Sequence, residues 1–233
     1  PPARPQYSTL LKWSGDYKDL KIVGDLAKSW EMSKDGLTYT FKLRKGIAFH
    51  DGTPFNADSV LYTLRRVKDN TKLIKSFVYQ DIESVEKDGD HAVLVTSKRP
   101  FGSLPAHLTM LGMLPAHAAK NEDAFFQKPI GTGPFKFVEF KQNESIRLVR
   151  NPDYFKKGKP YLDAIELRII DNRSTRVLAF QAGEFDMTFD SDITVPLLKD
   201  MEKQAPKAQC TLRYTNVSVN LLVNSGVAPF DNE

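Results

Sequence analysis

Residues 37–43, LTYTFKL, alternate without a break: Leu37, Tyr39, Phe41 and Leu43 fall on one side and Thr38, Thr40 and Lys42 on the other. A period of two over seven residues makes a strand with one buried face, and it rules out a helix there. Asp35-Gly36 precedes the run and Trp30-Glu31-Met32 precedes that pair, which predicts a hairpin closed by a turn with glycine at positive φ. A second turn is predicted at Asp51-Gly52-Thr53-Pro54. Asn56 then caps a helix whose apolar positions Val60, Leu61, Leu64 and Val67 share one face. Hairpin, turn and capped helix are the unit to which the rest of the chain must attach.

The remainder of the first half continues in hairpins. Pro1, Pro2 and Pro5 make a ragged start, and Ser84-Val85-Glu86 pairs with Ala92-Val93-Leu94-Val95 across Asp88-Gly89-Asp90. Residues 101–114 are mostly apolar but broken by Gly102, Pro105 and Gly112, and a short helical piece runs from Ala116 to Phe126. Residues 1–130 therefore read as a small α+β domain. Gly131-Thr132-Gly133-Pro134 suits a turn. It lacks the spacing of a dinucleotide or P-loop fingerprint, and strand-like Phe135-Lys136-Phe137 follows it where a phosphate loop needs a helix.

Beyond Gly131 a hairpin is expected between 135–141 and 145–150, with a bulge where the apolar parity slips between Phe137 and Phe140. Then come a strand from Ala164 to Ile170, a helix from Ser174 to Ala182 ended by Gly183, and a strand from Phe185 to Phe189. A helix capped by Thr194 and closed by Ala205-Pro206 follows, and Val217, Val219, Leu221 and Val223 mark a last strand. From Asp163 on, strand, helix, strand, helix, strand predicts a parallel sheet with crossover helices. Ligands on such sheets bind beyond the carboxyl ends of the strands, which nominates the loops Asp171-Asn172-Arg173 and Asp190-Ser191-Asp192. Asp190 and Asp192 could receive a ligand's amino group. The structural alternative is that Asp192 favours the positive end of the following helix while Ser191 satisfies backbone donors.

Composition and charge remove several function classes. Hydrophobic residues make up 41% of 233, enough for a core in one large domain or two small ones. No apolar run is long enough to cross a bilayer. No basic-then-apolar leader opens the sequence, so a secreted protein would be present in processed form. One cysteine, Cys210, excludes an internal disulfide and a cysteine-based metal cluster. The net charge of +4 is spread out: residues 1–130 hold 19 Lys/Arg against 15 Asp/Glu, and 131–233 hold 14 of each. The densest basic cluster, Lys156-Lys157-Gly158-Lys159, sits in a loop. Nucleic-acid binding needs a focused stripe, so no nucleic-acid partner is expected. His50-Asp51 is the pair that a metal-dependent hydrolase would use. The other histidines (His91, His107 and His117) show no ligand spacing, and no GxSxG occurs, so this enzyme reading is disfavoured.

LAKSWEMSKDGLTYTFKLRKGIAFHDGTPFNADSV at 26–60, PIGTGPFKF at 129–137, NPDYF with YLDAIELRII at 151–170, and AFQAGEFDM at 179–187 carry a further signal. Together, in this order and spacing, they resemble the extracytoplasmic solute-binding proteins of family 5, the peptide- and nickel-binding receptors of ABC importers. The resemblance implies an α/β fold of the periplasmic binding protein type II kind. Residues 1–130 would be its small hairpin-rich domain and 131–233 part of one lobe, with the opposite lobe following Glu233. It implies a monomeric periplasmic receptor that captures a small solute, a di- or oligopeptide, in an interlobe cleft and hands it to a membrane permease. No cofactor and no covalent chemistry are implied. Nickel complexes and oligosaccharides are the alternative ligands. The resemblance also places Thr109, Met110 and Leu111 along the small domain near the cleft, where core packing is the alternative. Phe77 and Tyr79 resemble aromatic positions that relatives offer to a ligand. Asn224 would span the hinge or cap a turn.

Overall fold

The structure, a computed structural model, describes residues 4–15, 18–73, 76–188 and 192–210. The alternating run becomes a strand. β1 (Leu11–Trp13) and β2 (Ile22–Gly24) form a short antiparallel pair, and β3 (Ala27–Met32) leads into β4 (Thr38–Leu43). β3 pairs β4 antiparallel with Trp30 opposite Phe41 and Met32 opposite Tyr39. Tyr39, Phe41 and Leu43 are buried while Thr38, Thr40 and Lys42 are not, so the pattern selects the face. The turn is held by Asp35, whose carboxylate accepts from the Leu37 backbone N–H at 3.0 Å and from the Ser33 hydroxyl at 2.5 Å. Gly36 has φ +73° there.

Helix α1 (Ala57–Asp69) starts at Asn56, whose side chain accepts from the Ser59 N–H. Val60, Leu64 and Val67 are buried, and Leu61 is partly buried against the same core. β5 (Ile82–Lys87) and β6 (Ala92–Ser97) complete an antiparallel sheet in the order β3-β4-β6-β5. β5 is an edge strand with unpaired carbonyls, and α1 covers two of them. Arg65 donates to the Val85 carbonyl at 3.0 Å and Lys68 to that of Glu83 at 2.9 Å. α2 (Leu104–Leu108) and α3 (Glu122–Gln127) are short and follow from the broken apolar stretch; Asn121 caps α3 through the Ala124 N–H at 3.0 Å.

Residues 131–133 cross from this sheet to the next. The crossing is tight because Gly133 donates to the Gln6 carbonyl at 2.9 Å, and a Cβ on Gly133 would lie 2.4 Å from the Gln6 carbonyl carbon. β7 (Phe135–Lys141), β8 (Ser145–Arg150) and β9 (Ala164–Arg168) form a second sheet in that order, and the expected bulge falls between Phe137 and Glu139. Asn151 of the NPDYF run returns to the crossing, where its side chain donates to the Gly133 carbonyl at 3.2 Å. Two helices follow, α4 (Arg173–Gln181) and α5 (Val195–Gln204). Asn172 caps α4, and Gly183 ends it at φ +78°. Thr194 occupies the N-cap of α5 without a side-chain cap bond.

Of the parallel sheet expected from Asp163 on, the described residues hold one strand, β9. β9 runs antiparallel to β8, with Ile165 opposite Leu148. The connection between them turns straight back and contains no crossover helix, which is the geometry of a meander. The strand expected at 185–189 is corrected: residues 185–188 are not a strand, and Met187 is 83% exposed. The remaining expected strand, 217–223, lies outside the described residues. The chain parts into two compact units, Pro1–Ile169 and Ile170–Glu233. Gly131 marks a change of sheet, and the division into units falls after β9.

Gly36→Val should lower stability by about 1–3 kcal/mol, because a β-branched side chain resists positive φ. The added Cβ would also meet Pro100 at 3.4 Å. A urea midpoint shift at unchanged slope checks it.

Candidate functional site

An apolar pocket of about 180 Å³ opens in the first unit, lined by Val67, Phe77, Val78, Tyr79, His107, Met110 and Leu111. Three elements build it. α1 contributes Val67 from its last turn. A 3-10 turn, Ser76–Tyr79, follows, anchored by the Ser76 N–H on the Leu73 carbonyl at 2.9 Å. Its tight pitch sends Tyr79 inward and leaves Phe77 73% exposed. α2 and the turn after it supply the far wall, with the Met110 N–H bonded to the His107 carbonyl at 3.0 Å.

Tyr79 fixes the floor. Its hydroxyl donates to the His107 carbonyl at 3.3 Å, and its ring meets the His107 ring edge-on at 6.3 Å. Burial pushes this hydroxyl's pKa up to about 12, so it stays a neutral donor. The His107 ring also lies 5.8 Å from that of Phe101, which holds the imidazole at the pocket wall. Met110 is half exposed beside it. Phe77, Met110 and Leu111 offer adaptable apolar surface, and His107 brings an imidazole to the lining. The volume falls below the roughly 300–1,000 Å³ of complete small-molecule pockets. It suits one side chain of a ligand, or one wall of a larger site.

A larger hollow of about 790 Å³ lies along α1, lined by residues that include Asp58, Tyr62, Arg66 and Glu122. Its principal charges answer one another. Arg66 donates twice to the Glu122 carboxylate, at 2.8 Å each, and the Tyr62 hydroxyl donates to it at 2.8 Å. The Arg66 hydrogen bonds hold the Glu122 carboxyl below the usual carboxylate range. An open, internally paired surface offers a ligand less than the apolar pocket does.

Of the residues singled out in the sequence, Phe77, Tyr79, Met110 and Leu111 come together in this pocket. Thr109 lies between pocket residues but turns its hydroxyl to the Ala106 carbonyl at 2.7 Å. Asp192, in the second unit, is 1% exposed. Its carboxylate accepts from Arg176, at 2.6 Å in the shortest contact, and from the Thr188 hydroxyl at 2.8 Å, while Arg173 donates to its backbone carbonyl. The carboxylate expected to meet a ligand is thus engaged inside its own unit. Asp190, Ser191 and Asn224 lie outside the described residues. His50 and Asp51 diverge: the His50 ring faces Gly131 and Gly133, and Asp51 accepts from Thr53 and faces His117 Nε2 at 3.1 Å. Val67 and His107 joined the pocket unannounced. Val67 reads as plain helix core, and nothing in the spacing of His107 separates it from the other histidines.

The family model for bacterial extracellular solute-binding proteins, family 5 Middle, matches residues 21–233. The glutathione-binding protein GsiB of Pectobacterium atrosepticum is 32% identical over 220 residues, covering 92% of this chain and 42% of that protein. The structure of NikZ from Campylobacter jejuni in complex with Ni(L-His) superposes with a TM-score of 0.77 at 31% identity, over 86% of this chain and 40% of that one. The oligopeptide-binding protein AppA of Bacillus subtilis, in complex with a nonapeptide, gives 0.76 at 34% identity over the same shares. The chain spans about two-fifths of the length of these relatives.

Two substitutions separate floor from surface. Tyr79→Ala should cost about 3–5 kcal/mol, as for other buried aromatic rings. Phe77→Ala should stay within about 0.5 kcal/mol of the parent, as exposed positions do. Urea denaturation of both variants reads the difference.

Proposed function

The chain belongs to the bacterial extracellular solute-binding proteins of family 5, and from that footing we propose that it is the ligand-capturing part of an ABC-importer receptor for small peptides. The observation that carries the reading is Phe77. A phenylalanine 73% exposed at the mouth of an apolar pocket costs solubility, and contact with a ligand's apolar side chain accounts for it. Relatives named for glutathione and for oligopeptides favour a peptide. Tolerant apolar contacts from Met110 and Leu111 fit side chains of varied shape, while backbone hydrogen bonds would come from elsewhere in the receptor.

In this reading the protein performs no covalent chemistry. Binding selects a closed arrangement of two lobes, and the closed form is presented to a membrane permease outside the cytoplasm. No helix among the described residues is long and apolar enough to cross a membrane, which agrees with a receptor that meets its permease at the surface. A second reading, a metal chelate as ligand, rests on the likeness to NikZ and on the His107 imidazole in the pocket wall.

Calorimetry tests the proposal with a pool of short peptides and, separately, with Ni(L-His). A chain carried to the full length of the relatives should bind peptide with a micromolar dissociation constant, and Phe77→Ala should weaken it about tenfold, or roughly 1.4 kcal/mol. These 233 residues alone should bind more weakly than about 1 mM, which is roughly 4 kcal/mol, because one wall of a cleft buries too little of the ligand. Tight binding of the chelate with none of peptide would select the second reading.

A further inference from the structure

We infer that His50 is a proton-operated latch on the crossing between the four-stranded and the three-stranded sheet of the first unit: neutral, it fastens residues 131–133 to the turn at 50–53, and protonated, it releases them.

The geometry fixes the ring's state. His50 Nε2 lies 2.9 Å from the Gly133 carbonyl oxygen, which can only accept, so Nε2 carries the proton. The Gly131 backbone N–H donates to Nδ1 at 3.3 Å, so Nδ1 must be bare. The His50 backbone N–H donates to the Gly131 carbonyl at 2.9 Å, which completes a three-bond clasp between the turn and the crossing. A second proton on the ring would set Nδ1–H against the Gly131 N–H. The clasp would lose one bond and gain a repulsive contact, and a buried cation would sit where a neutral ring had been.

The surrounding groups give the same direction. Burial holds the His50 pKa below the ordinary value, and Lys136 on β7 adds to this, while the Gly133 carbonyl and Asp51 act the other way. Asp51 is committed to the Thr53 N–H and hydroxyl at 3.0 and 2.7 Å, and to His117 Nε2. Lys136 has Asp153 at 3.8 Å. Tyr7, in the segment packed on Gly131, has a hydroxyl pushed up to about 12 by burial and so brings no charge. The junction has few bonds in reserve. Gln6 Oε1 and Thr132 Oγ1 are buried there without a hydrogen-bond partner among the described residues. Asn151 shares the Gly133 carbonyl with His50.

The sign follows from linkage. In the open state His50 titrates near its ordinary value of about 6.5, and in the closed state lower. The latch is therefore fully stabilising above about pH 6.5 and weakens as pH falls from there toward the closed-state pKa, below which the loss levels off. A receptor facing an acidifying exterior would loosen at this crossing, whatever solute it carries.

Amide hydrogen exchange on the 233-residue chain between pH 7.5 and 5 tests this, with each rate corrected for its intrinsic pH dependence. Protection of the Gly131 and His50 amides should fall as pH drops below about 6.5, while the amides of β4 hold theirs. Imidazole ¹⁵N shifts at pH 7.5 should show Nε2 protonated and Nδ1 bare. His50→Asn, which cannot titrate, should abolish the slope, and His117→Gln should keep it. A pH-independent protection of Gly131, a protonated Nδ1 at pH 7.5, or a slope that vanishes in His117→Gln would each overturn the latch. Should His50→Asn fail to fold, the ring shifts and the His117→Gln slope still decide.

Discussion

The Gly133 carbonyl is the point on which the first unit depends. It accepts from the His50 ring and from the Asn151 side chain, while the N–H of the same glycine donates to Gln6. Four stretches far apart in sequence meet there: the opening 3-10 turn (Arg4–Gln6), the turn at 50–53 that follows β4, the crossing, and the end of β8. The contact works only because residue 133 has no side chain, since a Cβ would collide with the backbone of residues 5–7. A buried backbone group must find partners inside the protein, and here the partners are what join the two sheets.

Around that junction the stabilising terms are of two kinds. The four-stranded sheet and α1 bury a continuous apolar core, in which Phe41, Phe55, Leu64 and Ile82 are wholly enclosed. Elsewhere charge is brought inside only with a partner. The Asp25 carboxylate, buried in the first unit, is paired with Lys156, whose ammonium also lies 5.0 Å from the centre of the Phe155 ring. Asp192 is enclosed by Arg176 and Thr188 in the second unit. Breaking such a pair strands a charge, which makes these residues poor candidates for a site that must exchange its ligand. The apolar pocket with Phe77 at its mouth has the opposite character. Its contacts are undirected, so different side chains can occupy it at little cost.

Local physics made part of this legible. Strict alternation determined β4 and its buried face, Asp35-Gly36 the turn, Asn56 the start of α1, and the slip of parity after Phe137 the bulge. Each is decided by neighbours within a few residues. The family was legible in the motifs as well, and the model match over 21–233 agrees. Tyr79, Met110 and Leu111 were reached through that resemblance, since periodicity does not distinguish a pocket wall from a core.

Pairing partners were a different matter. The sequence by itself determined β4 and the hairpin of β7 and β8; only the tertiary structure decided that 185–188 is not a strand and that β9 lies antiparallel on β8, because strand pairing depends on the path of the chain between partners. It also decided that the Asp192 carboxylate is enclosed by Arg176, sixteen positions away, a partner that spacing alone does not name. His50 carries the same lesson in one side chain. The spacing of the other histidines already disfavours a metal or catalytic pair with Asp51; what the ring does meet is Gly131 and Gly133, more than eighty residues on. A hydrogen bond is specified by geometry, and geometry over that separation exists only in the folded chain.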